Sequence, residues 1–191
     1  MPPQQPDRLL DVIDNGLDFG AHGFISNVLL GTSEESWGKL MAGPADHKAR
    51  EQLLGTWTLI SAVREEVPSG ATSNQFGENP QGYLTYGPEG RMMALITRAG
   101  RKPPAEGRPT PTEADALYRS MMSYGGTFSV ADGVVTHHVD ISWNQTFTGG
   151  EQKRHFKLDG DRLVLSTPQS LDPIDGKMSV RRMTWKRVSA A

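Results

Sequence analysis

Leu54-Gly55-Thr56-Trp57-Thr58-Leu59-Ile60-Ser61-Ala62-Val63 is the stretch whose reading decides the fold. It opens on Gly-x-Trp and continues in the alternating register that marks the chain from Lys48 onward. Such period-two patterning predicts a strand, here over 55–66.

Seven further segments carry the same signature, over 81–87, 91–98, 124–130, 134–143, 151–158, 161–167 and 178–188. The turns between them have identifiable chemistry. Pro88-Glu89-Gly90 separates Tyr86 from Arg91, Asp132-Gly133 precedes Val134, and Asp159-Gly160 separates Leu158 from Asp161. Asp175-Gly176 leads into the last segment. Asp-Gly between strand-like runs marks a hairpin, because glycine accepts the positive φ that tight turns require. Eight strands joined mostly by hairpins predict an all-β antiparallel barrel or sandwich.

One helix interrupts the strands. Thr110-Pro111-Thr112-Glu113 reads as a capping box with proline at the first helical position. Ala114, Leu117, Tyr118, Met121 and Met122 then share one face, which predicts a helix over 110–123. Strand 91–98 is apolar on both faces, with Met93 and Leu95 on one and Met92, Ala94 and Ile96 on the other. A strand of that kind is expected to be covered outside as well as inside; the 110–123 helix is a natural cover, and residues 1–50 are the other candidate.

Residues 1–50 have a different character and are read as a partly helical N-terminal extension to a domain spanning 51–191. Short apolar segments lie at Leu9–Leu17 and Phe24–Leu30, and a third at Ser33–Met41 carries Trp37. The extension is expected to pack on the barrel, to pair with a second subunit in a homodimer, or to act as a lid.

Composition narrows the function. The 191 residues carry 20 Lys+Arg against 22 Asp+Glu, a net charge of -2, which argues against a nucleic-acid binder. Cysteine is absent, which removes disulfides, zinc–thiolate sites and cysteine nucleophiles. No apolar run is long enough to span a membrane as a helix, and no secretory leader is legible, so a cytoplasmic protein is expected. His22, His47, His137, His138 and His155 show no metal-ligand spacing. No phosphate-binding glycine loop and no Gly-x-Ser-x-Gly elbow occurs. Neither a metal nor a cofactor is expected.

Several stretches together resemble the bacterial and fungal lipocalin-like domain family. They are the Gly55-x-Trp57 entry, Asn74-Gln75-Phe76-Gly77, Asn79-Pro80-Gln81-Gly82-Tyr83-Leu84-Thr85-Tyr86 and Pro88-Glu89-Gly90-Arg91-Met92. Val135-Thr136-His137-His138-Val139 and Leu158-Asp159-Gly160-Asp161-Arg162-Leu163-Val164-Leu165-Ser166-Thr167 add to them. The resemblance covers about residues 50–188. It implies an eight-stranded lipocalin-like barrel in which Trp57 closes the floor and an arginine of the last strand, Arg187, packs across it. The alternative is an α+β cone with N-terminal helices on a curved sheet, which has no use for such a plug.

His137-His138 is the most suggestive doublet for chemistry. Adjacent strand residues point to opposite faces, so one histidine faces inward. Val135, His137, Val139, Ile141 and Trp143 form the more apolar face, and Thr136, His138, Asp140 and Ser142 the polar one. An apolar lumen would bury His137. A wet one would hold His138 with Asp140 beside it. Tyr83, Tyr86, Tyr118 and Tyr124 supply phenols, and the eight methionines of the chain suit an adaptable apolar pocket.

The expected function is binding of a small, partly apolar molecule inside the barrel, lined by Tyr83, Met93, Leu95, Tyr124, His137, Ile141 and Trp143. His137 is the expected polar contact. The alternative is a cofactor-independent cyclase, isomerase or dehydratase acting on a polyketide-like or terpenoid-like carbonyl compound, with His137, His138 and Asp140 as candidate catalytic groups. A third reading is a filled barrel whose outer surface meets a partner. A large cavity with one or two convergent polar groups would favour binding, a cavity with a histidine hydrogen-bonded to an aspartate or a tyrosine would favour catalysis, and a solid interior would favour the third reading.

Overall fold

The computed structural model describes residues 43–172 and 175–189. The segments at Leu9–Leu17, Phe24–Leu30 and Ser33–Met41 lie outside the described residues.

Helix α1 (Pro44–Leu53) leads into β1 (Gly55–Glu66), β2 (Thr72–Asn74), β3 (Gln81–Tyr86) and β4 (Arg91–Thr97). Helix α2 (Pro111–Arg119) follows, then β5 (Met121–Ala131), β6 (Val134–Ser142), a single 3-10 turn at Gln145–Phe147, and β7 (Glu151–Asp159). The chain ends with β8 (Arg162–Ser166), β9 (Ser170–Leu171) and β10 (Met178–Arg187). The sheet runs β2-β1-β3-β4-β5-β6-β7-β8-β10-β9, and β1 also pairs with β10. That last pairing closes eight strands into an antiparallel barrel, with β2 and β9 as short additions at its rim. All eight expected strands are present, with ends shifted by at most a few residues.

The hairpin chemistry acts as the sequence suggests. Asp132 and Gly133 both take positive φ between β5 and β6, and Gly160 does so between β7 and β8. The interior is built from alternate residues of the eight barrel strands, among them Leu84, Met92, Ala94, Ile96, Phe128, Val135, Leu163 and Leu165.

One end of the barrel is plugged by α1. The expectation of alternating structure from Lys48 onward is corrected here, since residues up to Leu53 are helical. Leu53 is fully buried, and the Trp57 indole donates to its carbonyl at 2.9 Å. Arg187 lies with its guanidinium carbon 4.1 Å from the Trp57 ring centroid and donates to the carbonyls of Leu54 and Gln52. Gly55 has φ of 116°, and a Cβ there would sit 3.1 Å from the Arg187 guanidinium. The glycine of Gly-x-Trp therefore supplies both the backbone turn and the space for the arginine.

The capping box is present at α2, where Thr110 Oγ1 accepts from the Glu113 amide and the Glu113 carboxylate accepts from the Thr110 amide. The helix is shorter than expected. It stops at Arg119 because Met121 and Met122 join the β5 ladder opposite Thr97 and Ile96. It packs against β5 rather than over β4, and Met93 and Leu95 on the outer face of β4 remain exposed. The expected cover over that strand is therefore not supplied by α2.

Candidate functional site

Three elements bring one polar cluster into the apolar interior. His137, on β6, is 1% exposed. Its Nε2 lies 2.7 Å from the hydroxyl of Tyr86 on β3, and its Nδ1 lies 2.9 Å from the hydroxyl of Tyr124 on β5. Both phenols are buried as well, and Phe128 packs against Tyr86 at 4.7 Å between ring centroids.

Arg154, on β7, joins this cluster. It is 8% exposed and stands on the inward face opposite Val135, two residues along β6 from His137. Its Nη1 donates to the carbonyl of Lys153 at 2.7 Å and its Nη2 to Gln152 Oε1 at 3.1 Å.

The electrostatics follow from burial. His137 is held down to about 3, first by burial, then by the nearby Arg154 charge and by His138. It is neutral at physiological pH, so one ring nitrogen donates and the other accepts. Tyr86 is raised well above the usual phenol value by burial, reinforced by Tyr124 and opposed by Arg154. Burial raises Tyr124 too, against the charge and hydrogen bonding of Arg154. Every member is thus in its protonation state of lowest charge except the guanidinium, which cannot lose its proton.

A close backbone approach places His137. β5 carries an irregularity between Gly125 and Gly126, where its partner on β6 moves from Ile141 to Val139. A Cβ at Gly126 would stand 1.9 Å from the His138 carbonyl oxygen. Only glycine lets β5 and β6 meet at this point, immediately beside His137.

The other expected residues divide between inside and outside. Tyr124 and His137 face the interior. Tyr83, Met93, Leu95 and Ile141 are exposed, at 58, 60, 39 and 64%, so their expected place in a lumen is corrected to the outer wall. The reason is register: Tyr83 stands opposite Leu95, and Met93 opposite Gly125, which stands opposite Ile141. These residues share one face, the reverse of the face that carries Leu84, Ala94 and Tyr124. Trp143 is partly buried at the barrel rim, edge-on to Phe147 at 5.2 Å and 6.0 Å from Tyr118, and Phe147 in turn meets Tyr124.

The second histidine reading is also corrected. His138 points outward, with Nε2 2.9 Å from Ser129 Oγ and Nδ1 3.2 Å from Glu151. Asp140 is exposed and binds Arg91 in a two-pronged contact at 2.5 and 3.2 Å, which lowers its carboxyl. The pair neither meets nor shares a lumen. The sequence reading missed Tyr86 as a partner of His137, and missed Arg154 altogether. Arg154 shares the parity of Phe156 and Leu158 along β7, which is the signal that could have placed it inside.

Two hollows lie away from the cluster. One, of about 280 Å³, sits where β3 parts from β1, between Ile60, Ala62 and the segment from Gly77 to Pro80. The other, of about 570 Å³, lies between the loop from Arg98 to Ala105 and α2. Neither is lined by His137, Tyr86, Tyr124 or Arg154.

Among solved structures, a lipocalin-like protein from Bacteroides uniformis is 10% identical, covering 72% of this chain and 99% of its own, with a TM-score of 0.38. An uncharacterized protein from Bacteroides eggerthii is 11% identical, covering 71% and 99%, with a TM-score of 0.37. No curated protein matches the chain. The model of the lipocalin-like domain matches residues 54–188, from the Gly-x-Trp entry to the end of the last strand, and the chain belongs to that family.

Proposed function

We propose that this barrel binds a small, partly apolar molecule, held at its polar end by the Tyr86, His137 and Tyr124 cluster. The observation that carries the reading is the convergence of three buried polar side chains from three strands on one point of an apolar interior. Buried polar groups are costly unless satisfied, and a packed apolar core would serve stability as well. The cluster offers a ligand directional contacts through hydroxyls that retain hydrogen-bonding capacity beyond the imidazole. The surrounding walls, including Met92, Ile96, Phe128 and Val139, suit an apolar body.

Binding is favoured over proton-transfer catalysis by the protonation states. An imidazole held at about 3 is a weak base and is not an acid near neutrality. Phenols raised above their usual value are poor acids. Such groups orient a carbonyl or hydroxyl rather than exchange protons with it. The hydrogen-bonded histidine and tyrosines are nevertheless the one feature that favours the alternative, an isomerase, cyclase or dehydratase of carbonyl compounds.

Native mass spectrometry of the freshly purified chain, followed by extraction and identification of released molecules, tests the reading. A stoichiometric small molecule, returned unchanged after incubation, is the expected result. Conversion of that molecule would transfer the assignment to the enzyme. An empty protein that also rejects a panel of apolar carbonyl compounds, acids and amides would overturn both and leave the outer wall as the place of function.

A further inference from the structure

We propose that the ligand carries a carboxylate and that Arg154 is its anchor. The inference rests on the binding reading above and names the chemistry of that ligand.

Among the described residues, Arg154 is a buried cation with no counter-charge. No described carboxylate lies within 4 Å of it, and its polar contacts are a backbone carbonyl, an amide oxygen and the Tyr124 hydroxyl, none of which carries a charge while the phenol keeps its proton. Its Nε is buried with no hydrogen-bond partner. The other arginines drawn toward the barrel wall are treated differently. Arg64 meets Glu66, Asp172 and Asp175, and Arg181 meets Asp172. Arg187 is spread over an indole and two helix-ending carbonyls. A guanidinium stays charged in any surroundings, so burying one without an anion is a standing cost to the fold.

The neighbours of Arg154 do not repay that cost. His137 is neutral and both phenols are protonated, so the interior presents net positive charge, and the phenol that accepts from the imidazole keeps its own proton to donate. Guanidinium and carboxylate match in a planar two-pronged contact, and a phenol hydroxyl can add a third hydrogen bond to the same group. An apolar body bearing a single carboxylate meets both halves of this environment: its acid completes Arg154 and its hydrocarbon replaces apolar side-chain contacts. An ammonium ligand would be repelled, and a neutral ligand would leave the guanidinium unpaired.

The test uses the full chain and isothermal titration calorimetry near pH 7. The ligands are octanoate, decanoate and hydrocinnamate, each beside its primary amide. The variants are Arg154→Met, which keeps the length of the side chain without the charge, and Arg154→Lys, which keeps the charge without the fork. Wild-type protein is expected to prefer acids over their amides by about tenfold or more, the range of hydrogen bonds to charged groups. Arg154→Met is expected to bind acid and amide alike, and Arg154→Lys to lie between. Arg154→Met is also expected to melt at a higher temperature than unliganded wild type, because it removes an uncompensated buried charge. Equal binding of acids and amides by wild type would overturn the carboxylate while leaving the binding reading intact. Failure of every acid and every amide would overturn both. A lower melting temperature for Arg154→Met, with acid preference unchanged, would make Arg154 a structural residue and overturn the anchor.

Discussion

Arg187 covers the face of Trp57 at 4.1 Å, and the two side chains together donate to the three carbonyls that end α1: Gln52, Leu53 and Leu54. The last carbonyls of a helix lack intrahelical partners and carry the negative end of its dipole. A cation and an indole N–H satisfy them at once. The first and last strands of the barrel, paired Trp57 to Arg187, are thereby tied to the helix that plugs its floor.

Loss of either partner is expected to be felt in the other. Trp57→Phe removes the bond to Leu53 and weakens the ring as a cation partner, and Arg187→Ala removes the cation and two carbonyl contacts. The double-mutant cycle in urea is expected to give a coupling of about 0.5–2 kcal/mol. Additive single effects would show that the contact does not contribute to stability.

This plug was legible from Gly55-x-Trp57 and the arginine near the end of the last strand, because each residue type has a distinct task. The barrel was legible because Asp-Gly turns divide alternating runs, and alternation specifies a half-buried strand. The interior was harder to read. β4 is apolar on both faces, so pattern alone cannot say whether Met92, Ala94 and Ile96 or Met93 and Leu95 turn inward. Choosing the wrong parity there carried Tyr83 inside in place of Tyr86. Arg154 sits between Lys153 and His155, where neighbouring charge masks its inward position. The parity it shares with Phe156 and Leu158 is the weak signal of its burial, and the register of β6 with β7 fixes it.

The outer position of the β4 and β6 residues has a direct consequence. Met93→Ser and Ile141→Thr alter side chains exposed by 60 and 64%. Each is expected to change stability by no more than about 0.5 kcal/mol, as at other surface positions. Neither is expected to change the affinity of a bound small molecule by calorimetry. A loss of binding in either would return that strand face to the lumen.

The cluster is expected to depend on Gly126. Alanine there drives its Cβ into the His138 carbonyl oxygen, at 1.9 Å before any adjustment. Because the obstacle is backbone, β5 and β6 must separate. Gly126→Ala is expected to cost about 1–3 kcal/mol in urea denaturation, the range of overpacking. It is expected to shift the His137 ring resonances by NMR, since Tyr124 and His137 stand on the two strands that part. Gly133→Ala in the adjacent turn, with nothing within 4 Å of its Cβ, serves as a comparison: it strains a positive φ without moving the ring.

Removing one phenol leaves a buried imidazole nitrogen without a partner. Tyr86→Phe and Tyr124→Phe are each expected to destabilise the chain by about 1–3 kcal/mol. The double variant is expected to cost less than the sum, because a single imidazole serves both bonds. Strict additivity in thermal or urea unfolding would mean that the three side chains do not act as one network.

The buried imidazole also sets a pH dependence whose sign is fixed. His137 titrates at about 3 in the folded chain, against 6.5 for an ordinary histidine. Between these values the unfolded chain binds a proton that the folded chain refuses. Its contribution to stability is therefore complete above about pH 6.5 and is lost as pH falls, by at most about 1.4 kcal/mol for each unit. The carboxylates whose values are lowered, Glu113, Asp140 and Asp175, start from 4.5, 3.8 and 3.8, so they titrate below this upper part of the window. Urea unfolding from about pH 8 down to about pH 5, run on wild type beside His137→Gln, separates His137 from the other four histidines of the chain. The expected curve is flat at the high end and falls below about pH 6.5, whereas His137→Gln removes the part of the fall that this residue causes. If wild type and His137→Gln fall in parallel across that range, the imidazole is not held neutral by the barrel, and the electrostatic account of the cluster fails with it.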